Sequence, residues 1–204
     1  MKILHISDTH SFHEDLNLNL HGIDVVAHSG DETDNRHPLV NESEFYDFID
    51  WFTKLDVKYK ILIPGNHSAY IYNNEQLAKK ECKKRGIILL IKQSVTIKGI
   101  KFYGDPYTRS FGNWYYGLGK FSLKENFAEI PSDTDVLITH DPPFKILDKA
   151  MALRGNKIIS VGSKELLFRI KNLNLKACLF GHIHNDVEIT SQNHGFAVNK
   201  EELD

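Results

Sequence analysis

Five short apolar runs in this chain are each followed, within three residues, by an Asp, Asn or His. That repeated arrangement restricts the fold more than any other feature. The runs cover residues 2–6, 23–28, 60–63, 136–139 and 177–180. Behind them stand Asp8 and His10, then Asp31, then Asn66 and His67, then His140, then His182 and His184. Short continuous apolar runs suit strands buried on both faces. Polar groups at their ends suit one cavity outside the carboxyl ends of those strands, fed by several loops.

The segments between the runs read as helices. Residues 41–55 place Phe45, Phe48, Ile49, Phe52 and Leu55 on one face at helical spacing. Residues 74–85 form a second helix, stopped by Gly86. Residues 122–130 form a third, with Ser122 and Glu125 set as a capping box. Residues 163–173 form a fourth, with Leu166, Leu167, Ile170 and Leu173 facing inward. Residues 87–91, 94–98 and 100–103 read as consecutive strands, with Lys98-Gly99 as a hairpin turn. Residues 187–190 and 196–198 read as the last strands. The sum is an α/β fold, mixed α+β in detail, of stacked mixed sheets flanked by helices. Without an internal repeat, a low-complexity tract or a linker, residues 1–204 are expected to form one domain.

Single motifs carry little weight. In a chain of 204 residues with 13 Gly and 11 His, Asp-x-His is expected by chance ~0.8 times and Gly-His-x-His roughly 0.04 times. The set, its order and its placement at strand ends carry the reading. Imidazole nitrogens and carboxylate oxygens suit Mn, Fe, Zn, Ni or Co. Asp31 has two oxygens with which to bridge two ions. Asn66 offers a neutral oxygen where an anionic phosphate must enter. Two ions about 3.5–4 Å apart clamp the attacking and leaving oxygens of an in-line phosphoryl displacement and acidify a bridging water.

Asp8-Thr9-His10, Gly30-Asp31-Glu32-Thr33-Asp34, Gly65-Asn66-His67, Thr139-His140 and Gly181-His182-Ile183-His184 together resemble the signature of the calcineurin-like metallophosphoesterase superfamily. The resemblance runs from residue 4 to about residue 190. It implies two stacked mixed sheets flanked by helices. It implies one metal site from Asp8, His10, Asp31 and His184, and a second from Asp31, Asn66, His140 and His182. His67 matches the position that protonates the leaving oxygen or holds the phosphate. Thr139-His140-Asp141-Pro142-Pro143 with Asp148, and the stretch Tyr103-Gly104-Asp105-Pro106-Tyr107-Thr108, resemble the small metallophosphoesterase-domain (brain 239-type) branch. That branch implies a phosphodiesterase acting through a metal-bridging hydroxide on small diesters, including cyclic nucleotides, with Mn favoured. Asp31, Asn66 and His67 are the implied catalytic residues. A nuclease or phosphomonoesterase, or a non-catalytic scaffold that keeps its metals, stands as the alternative. The chain departs from the family at Ser68, where Asp or Glu usually follows the triplet and would orient the His67 imidazole.

Other features narrow the partners. Lys and Arg total 25 against 27 Asp and Glu, a net charge of −2, which argues against a broad nucleic-acid face. Cys82 and Cys178 suit a reducing compartment rather than a disulfide framework. No secretory signal or membrane span is read, so a cytoplasmic protein with no membrane partner is expected. Asp34 either orients a ligand or caps the turn before the 41–55 helix. His28 reads as a core histidine. The aromatic residues between Phe102 and Phe121 either stack a nucleobase or pack a core. Arg36, Arg109 and Arg154 are the loop candidates for gripping phosphate.

Overall fold

The computed structural model describes residues 1–152 and 157–184, and the backbone of 194–197. The first half of the chain runs β1 (Ile3–Ile6), β2 (Val25–His28), α1 (Pro38–Lys54), β3 (Tyr59–Leu62), α2 (Ala69–Asn73), α3 (Glu75–Lys84) and β4 (Ile87–Leu89). The second runs β5 (Gln93–Ile97), β6 (Ile100–Asp105), β7 (Thr108–Arg109), β8 (Gly117–Leu118), α4 (Lys120–Ala128), β9 (Val136–Thr139), β10 (Lys149–Met151), β11 (Ile158–Ser160), α5 (Lys164–Lys171), β12 (Ala177–Phe180) and β13 (His194–Ala197).

Each half makes one main sheet. Strands β1 to β4 lie side by side in chain order, all parallel. The other sheet is ordered β13-β12-β9-β6-β5, with its three central strands parallel and its outer strands antiparallel. Strand pleating sorts the apolar residues into three cores. Val25, Ala27 and Ile61 of the first sheet meet Phe102, Val136, Ile138 and Leu179 of the second. On the outer face of the first sheet, Ile6, Val26 and Leu62 pack under Phe45, Phe48, Ile49 and Phe52 of α1. On the outer face of the second, Tyr103, Leu137, Cys178 and Phe180 pack under Leu123 and Phe127 of α4 and Leu166 and Ile170 of α5. The layers are therefore helix, sheet, sheet, helix, as expected.

Some boundaries differ from the expectation. Helix α1 starts at Pro38, whose fixed φ suits the first turn of a helix. The expected 74–85 helix is α3, and a short unexpected helix, α2, precedes it, the two separated where Asn74 leaves helical geometry. Ser122 does not cap α4. That helix begins at Lys120 after an extended Gly119, so Ser122 lies inside its first turn. Ser163 does cap α5, its hydroxyl accepting from the Leu166 amide at 3.1 Å. Strand β13 begins two residues before the expected 196–198 run. The expected 187–190 strand lies outside the described residues. The lysine-rich face of α3 is a solvated, paired one: Lys79 bonds Glu75, and Lys84 and Arg85 bond Glu81. Among the described residues, no helix is long and apolar enough to cross a membrane.

Candidate metal centre

The loops after β1, β2 and β3 of the first sheet meet the loops after β9 and β12 of the second. Four of the residues they deliver sit in left-handed backbone geometry: Asp8 (φ 52°), His10 (φ 42°), Asp31 (φ 57°) and His182 (φ 72°). Each such residue costs on the order of 1 kcal/mol, and such costs collect where side chains are aimed rather than packed. The backbone must also approach the side chains closely. A Cβ on Gly181 would lie 2.0 Å from Asp8 Oδ2, and one on Gly65 2.2 Å from Asp31 Oδ1.

All seven expected ligands come together. Asp8, His10 and His184 form one group, and Asp31, His140 and His182 another, each with one donor atom per residue within 4.8 Å of the others. In the first, His184 Nε2 is 3.1 Å from Asp8 Oδ1 and 3.3 Å from His10 Nε2. In the second, His140 Nε2 is 3.2 Å from Asp31 Oδ2 and 3.0 Å from Asn66 Oδ1. Asp31 Oδ2 also stands 3.9 Å from His10 Nε2, so this carboxylate faces both groups.

The donor set calls for positive charge. His140 Nδ1 donates to the Ser29 carbonyl at 2.9 Å, so a neutral ring turns its Nε2 lone pair toward two oxygen acceptors. His10 and His184 likewise point nitrogen at nitrogen. Protons can fill the gap. Burial opposes charge on His140, yet Asp31 beside it lifts its pKa to about 9. The hydrogen bond to Asp8 raises His184. Burial alone would raise both carboxylates, but His184 and His140 hold Asp8 well below the usual range, and His140 holds Asp31 at about 2. Burial, then the charge on His140, lowers His182 to about 3. Divalent cations meet the same demand, and their binding displaces the protons. The residues present therefore fit the two-metal expectation.

Comparison with known proteins agrees with that geometry. The sequence profile of the family described as Calcineurin-like phosphoesterase matches residues 1–186. The chain belongs to this family. It is 29% identical over 212 residues to UPF0046 protein K07C11.7 of Caenorhabditis elegans, covering 98% of this chain and 69% of that one. It is 31% identical over 207 residues to metallophosphoesterase domain-containing protein 1 of Homo sapiens, covering 88% of this chain and 59% of that one. The chain thus spans 59% to 69% of the length of these curated relatives. A crystal structure of 15% identity matches with a TM-score of 0.58 over 93% of this chain and 87% of that chain, so the fold is shared. The calcineurin-like phosphoesterases are metal-dependent phosphoric ester hydrolases.

Around the metal groups, this calcineurin-like phosphoesterase braces its loops from behind. Asp34 does not cap the turn before α1; its own amide is bonded by Glu44. Its carboxylate stands 3.3 Å from His10 Nδ1, and its carbonyl accepts from His67 Nδ1 at 2.8 Å. His28 is a core histidine, packed edge-on against Phe48 and 3.1 Å from the Thr9 hydroxyl. Ser68 turns away from His67. Its hydroxyl donates to Glu32 Oε2 at 2.7 Å and accepts from the Gly65 amide at 2.8 Å. The hydrogen bond at the imidazole Nδ1 is thus made to the Asp34 carbonyl and not to position 68. Burial lifts Glu32 to about 7.

Sequence reasoning missed Asn41. Its buried amide bonds the Thr33 hydroxyl and the His67 carbonyl at 2.9 Å each and accepts from the Tyr70 amide at 2.7 Å. It locks the two loops to α1. The available signal was a polar residue four positions before Phe45 on the helix's apolar face.

Two cavities share the centre. One, about 400 Å³, is lined by His10, Asp31, Asn66, His67, Trp114 and their neighbours. The other, about 530 Å³, opens beside His182 and His184 and is walled by Phe111, Met151, Ile159 and Val161, with Arg109 and Asp141 present. The aromatic segment divides accordingly. Tyr103 and Tyr116 are core, while Phe111 and Trp114 reach the cavities. Arg36 is committed, donating to the Asn113 carbonyl at 2.9 Å and lying over the Trp114 ring. Arg109 is exposed. Arg154 lies outside the described residues.

Proposed function

We propose that this protein is a two-metal phosphodiesterase for small diesters, with one ester arm held beside the metal centre in an apolar pocket. The observation that carries the reading is the second cavity. A phosphomonoester has one organic arm, whereas a diester has two. A space of about 530 Å³ with an apolar wall adjoins the metal groups through His182 and His184. Phe111 faces both cavities, 5.3 Å from the His182 ring, and is 44% exposed, which leaves it able to stack a planar arm such as a nucleobase.

In this reading, Asp8, His10, Asp31 and His184 hold one ion, and Asp31, Asn66, His140 and His182 hold the other, with Mn the first ion to try. Divalent cations there supply positive charge to the phosphoryl oxygens and lower the pKa of water. His67 acts on the departing oxygen. With Nδ1 bonded to the Asp34 carbonyl, the imidazolium keeps its Nε2 proton for that oxygen, and the ring leaves neutral as the P–O bond breaks.

The test compares bis-p-nitrophenyl phosphate with p-nitrophenyl phosphate, using metal-stripped protein with and without Mn²⁺. Metal-restored cleavage that favours the diester is expected, with Phe111→Ala raising KM for the diester alone. Preference for the monoester, or no cleavage by protein carrying two ions, would overturn the reading.

A further inference from the structure

The residue that should steady the His67 ring after the triplet is Ser68, and it faces Glu32 and Gly65 instead. One hydrogen bond, from Nδ1 to the Asp34 carbonyl, leaves the ring free to swing about that axis. Something else must stop the swing. The Trp114 ring lies 4.2 Å from the imidazole, centroid to centroid, at 34°. Its centroid is also 3.5 Å from the Arg36 guanidinium carbon. Two groups that close to one ring centre cannot share a face without overlapping, so they occupy opposite faces.

The stack is anchored at both ends. Arg36 belongs to the loop that follows β2 and carries Asp31 and Asp34, and it donates to the Asn113 carbonyl. On the other side of Trp114, the Tyr115 amide donates to the Asn66 carbonyl at 3.3 Å. The segment bearing Trp114 is thereby tied to the two loops that deliver Asp31 and His67. His10 closes the remaining side of the imidazole, edge-on at 4.6 Å.

We infer that Trp114, backed by Arg36, is a positioning residue that holds the His67 imidazole with Nε2 toward the substrate. It does by stacking what a carboxylate at position 68 would do by hydrogen bonding. With both faces covered, Trp114 is no platform for a substrate base. The inference rests on the proposed action of His67 on the departing oxygen.

The experiment has two parts. In metal-free protein, NMR of the His67 ring protons reads the stack directly: they are expected upfield in wild type and Trp114→Phe, and at ordinary positions in Trp114→Ala. Ordinary positions in wild type would refute the clamp without reference to activity. In Mn²⁺-loaded protein, kcat is measured on aryl diesters whose leaving phenols range from acidic to weakly acidic. A poor leaving group needs the proton and a good one does not. Trp114→Ala is expected to lose about tenfold or more on the poorest leaving group and little on the best, with two ions still bound. Trp114→Phe should recover most of the loss, and Arg36→Ala should fall between. A uniform loss across all leaving groups, or no rescue by Phe, would overturn the positioning role. If His67→Ala itself leaves the leaving-group dependence unchanged, the reading of His67 fails first and takes the kinetic role of Trp114 with it.

Discussion

Adding one methyl group at Gly181 should empty half of the metal centre. A Cβ there would sit 1.9 Å from Ser7 Oγ and 2.0 Å from Asp8 Oδ2. Ordinary contact needs about 3.5 Å, so the carboxylate must retreat by roughly 1.5 Å. Asp8 has no slack for that move. Both of its oxygens accept from the His182 amide at 3.0 Å, and Oδ1 is 3.1 Å from His184 Nε2. Metal–ligand distances tolerate only about 0.2 Å of error. Gly181→Ala is therefore expected to lower the metal content from two ions per chain toward one, read by mass spectrometry after gel filtration. The crowding itself should cost ~1–3 kcal/mol in urea unfolding of the metal-free protein. Gly65→Ala supplies the contrast. Its Cβ would meet Asp31 Oδ1 at 2.2 Å, and Asp31 faces both groups, so both ions should be lost. Gly119→Ala, with nothing within 4 Å of its Cβ, should keep both. A Gly181→Ala protein with two ions and wild-type stability would refute the cradle argument.

Further outcomes follow from buried polar groups and from the core. Ser68→Ala strips a partner from Glu32 and from the Gly65 amide, and should cost ~2–3 kcal/mol in urea unfolding. Burial raises Asp105 from 3.8 to about 6. Its folded form thus keeps a proton that the unfolded chain releases, and stability falls as pH rises between those values, by up to roughly 3 kcal/mol. Asp105→Asn should therefore gain on wild type as pH climbs from 4 to 6.5, and a constant difference across that range would exclude the effect. Phe48→Ala opens a hole beside His28, Trp51 and Phe52, and should cost ~3–5 kcal/mol.

The loops carrying the candidate ligands were readable because each follows a short, largely apolar strand, and β-strands place such loops at one edge of the sheet. The layer order was readable from the same runs. What escaped was set by contacts distant in sequence. Strands β7 and β8 are two residues each, too short for any period. Strands β10 and β11 are placed by the turn around Asp148, whose carboxylate accepts from the Lys145 and Gly162 amides. The capping box at Ser122 and Glu125 had the right residues, but the chain enters α4 directly from β8, and Gly119 makes the bend. Nothing local shows that Ser68 would pair with Glu32, or that Trp114 would lie on His67. Both pairs close across loops that only the finished sheets bring together.

Both groups of ligands straddle the two sheets. Asp8 and His184 are 176 residues apart, and Asn66 and His140 are 74 apart. A chain with the first sheet formed and the second loose lacks His184 from one expected site and His140 and His182 from the other, so neither site is complete. Cations should therefore bind the native state more tightly than any state short of it. Interactions absent from the folding transition state act on the rate of leaving the native state, not on the rate of reaching it. Added metal should lower the unfolding limb of a chevron and leave the folding limb where it is. The ions then set how long the stacked sheets last, while the three apolar cores set how fast they form.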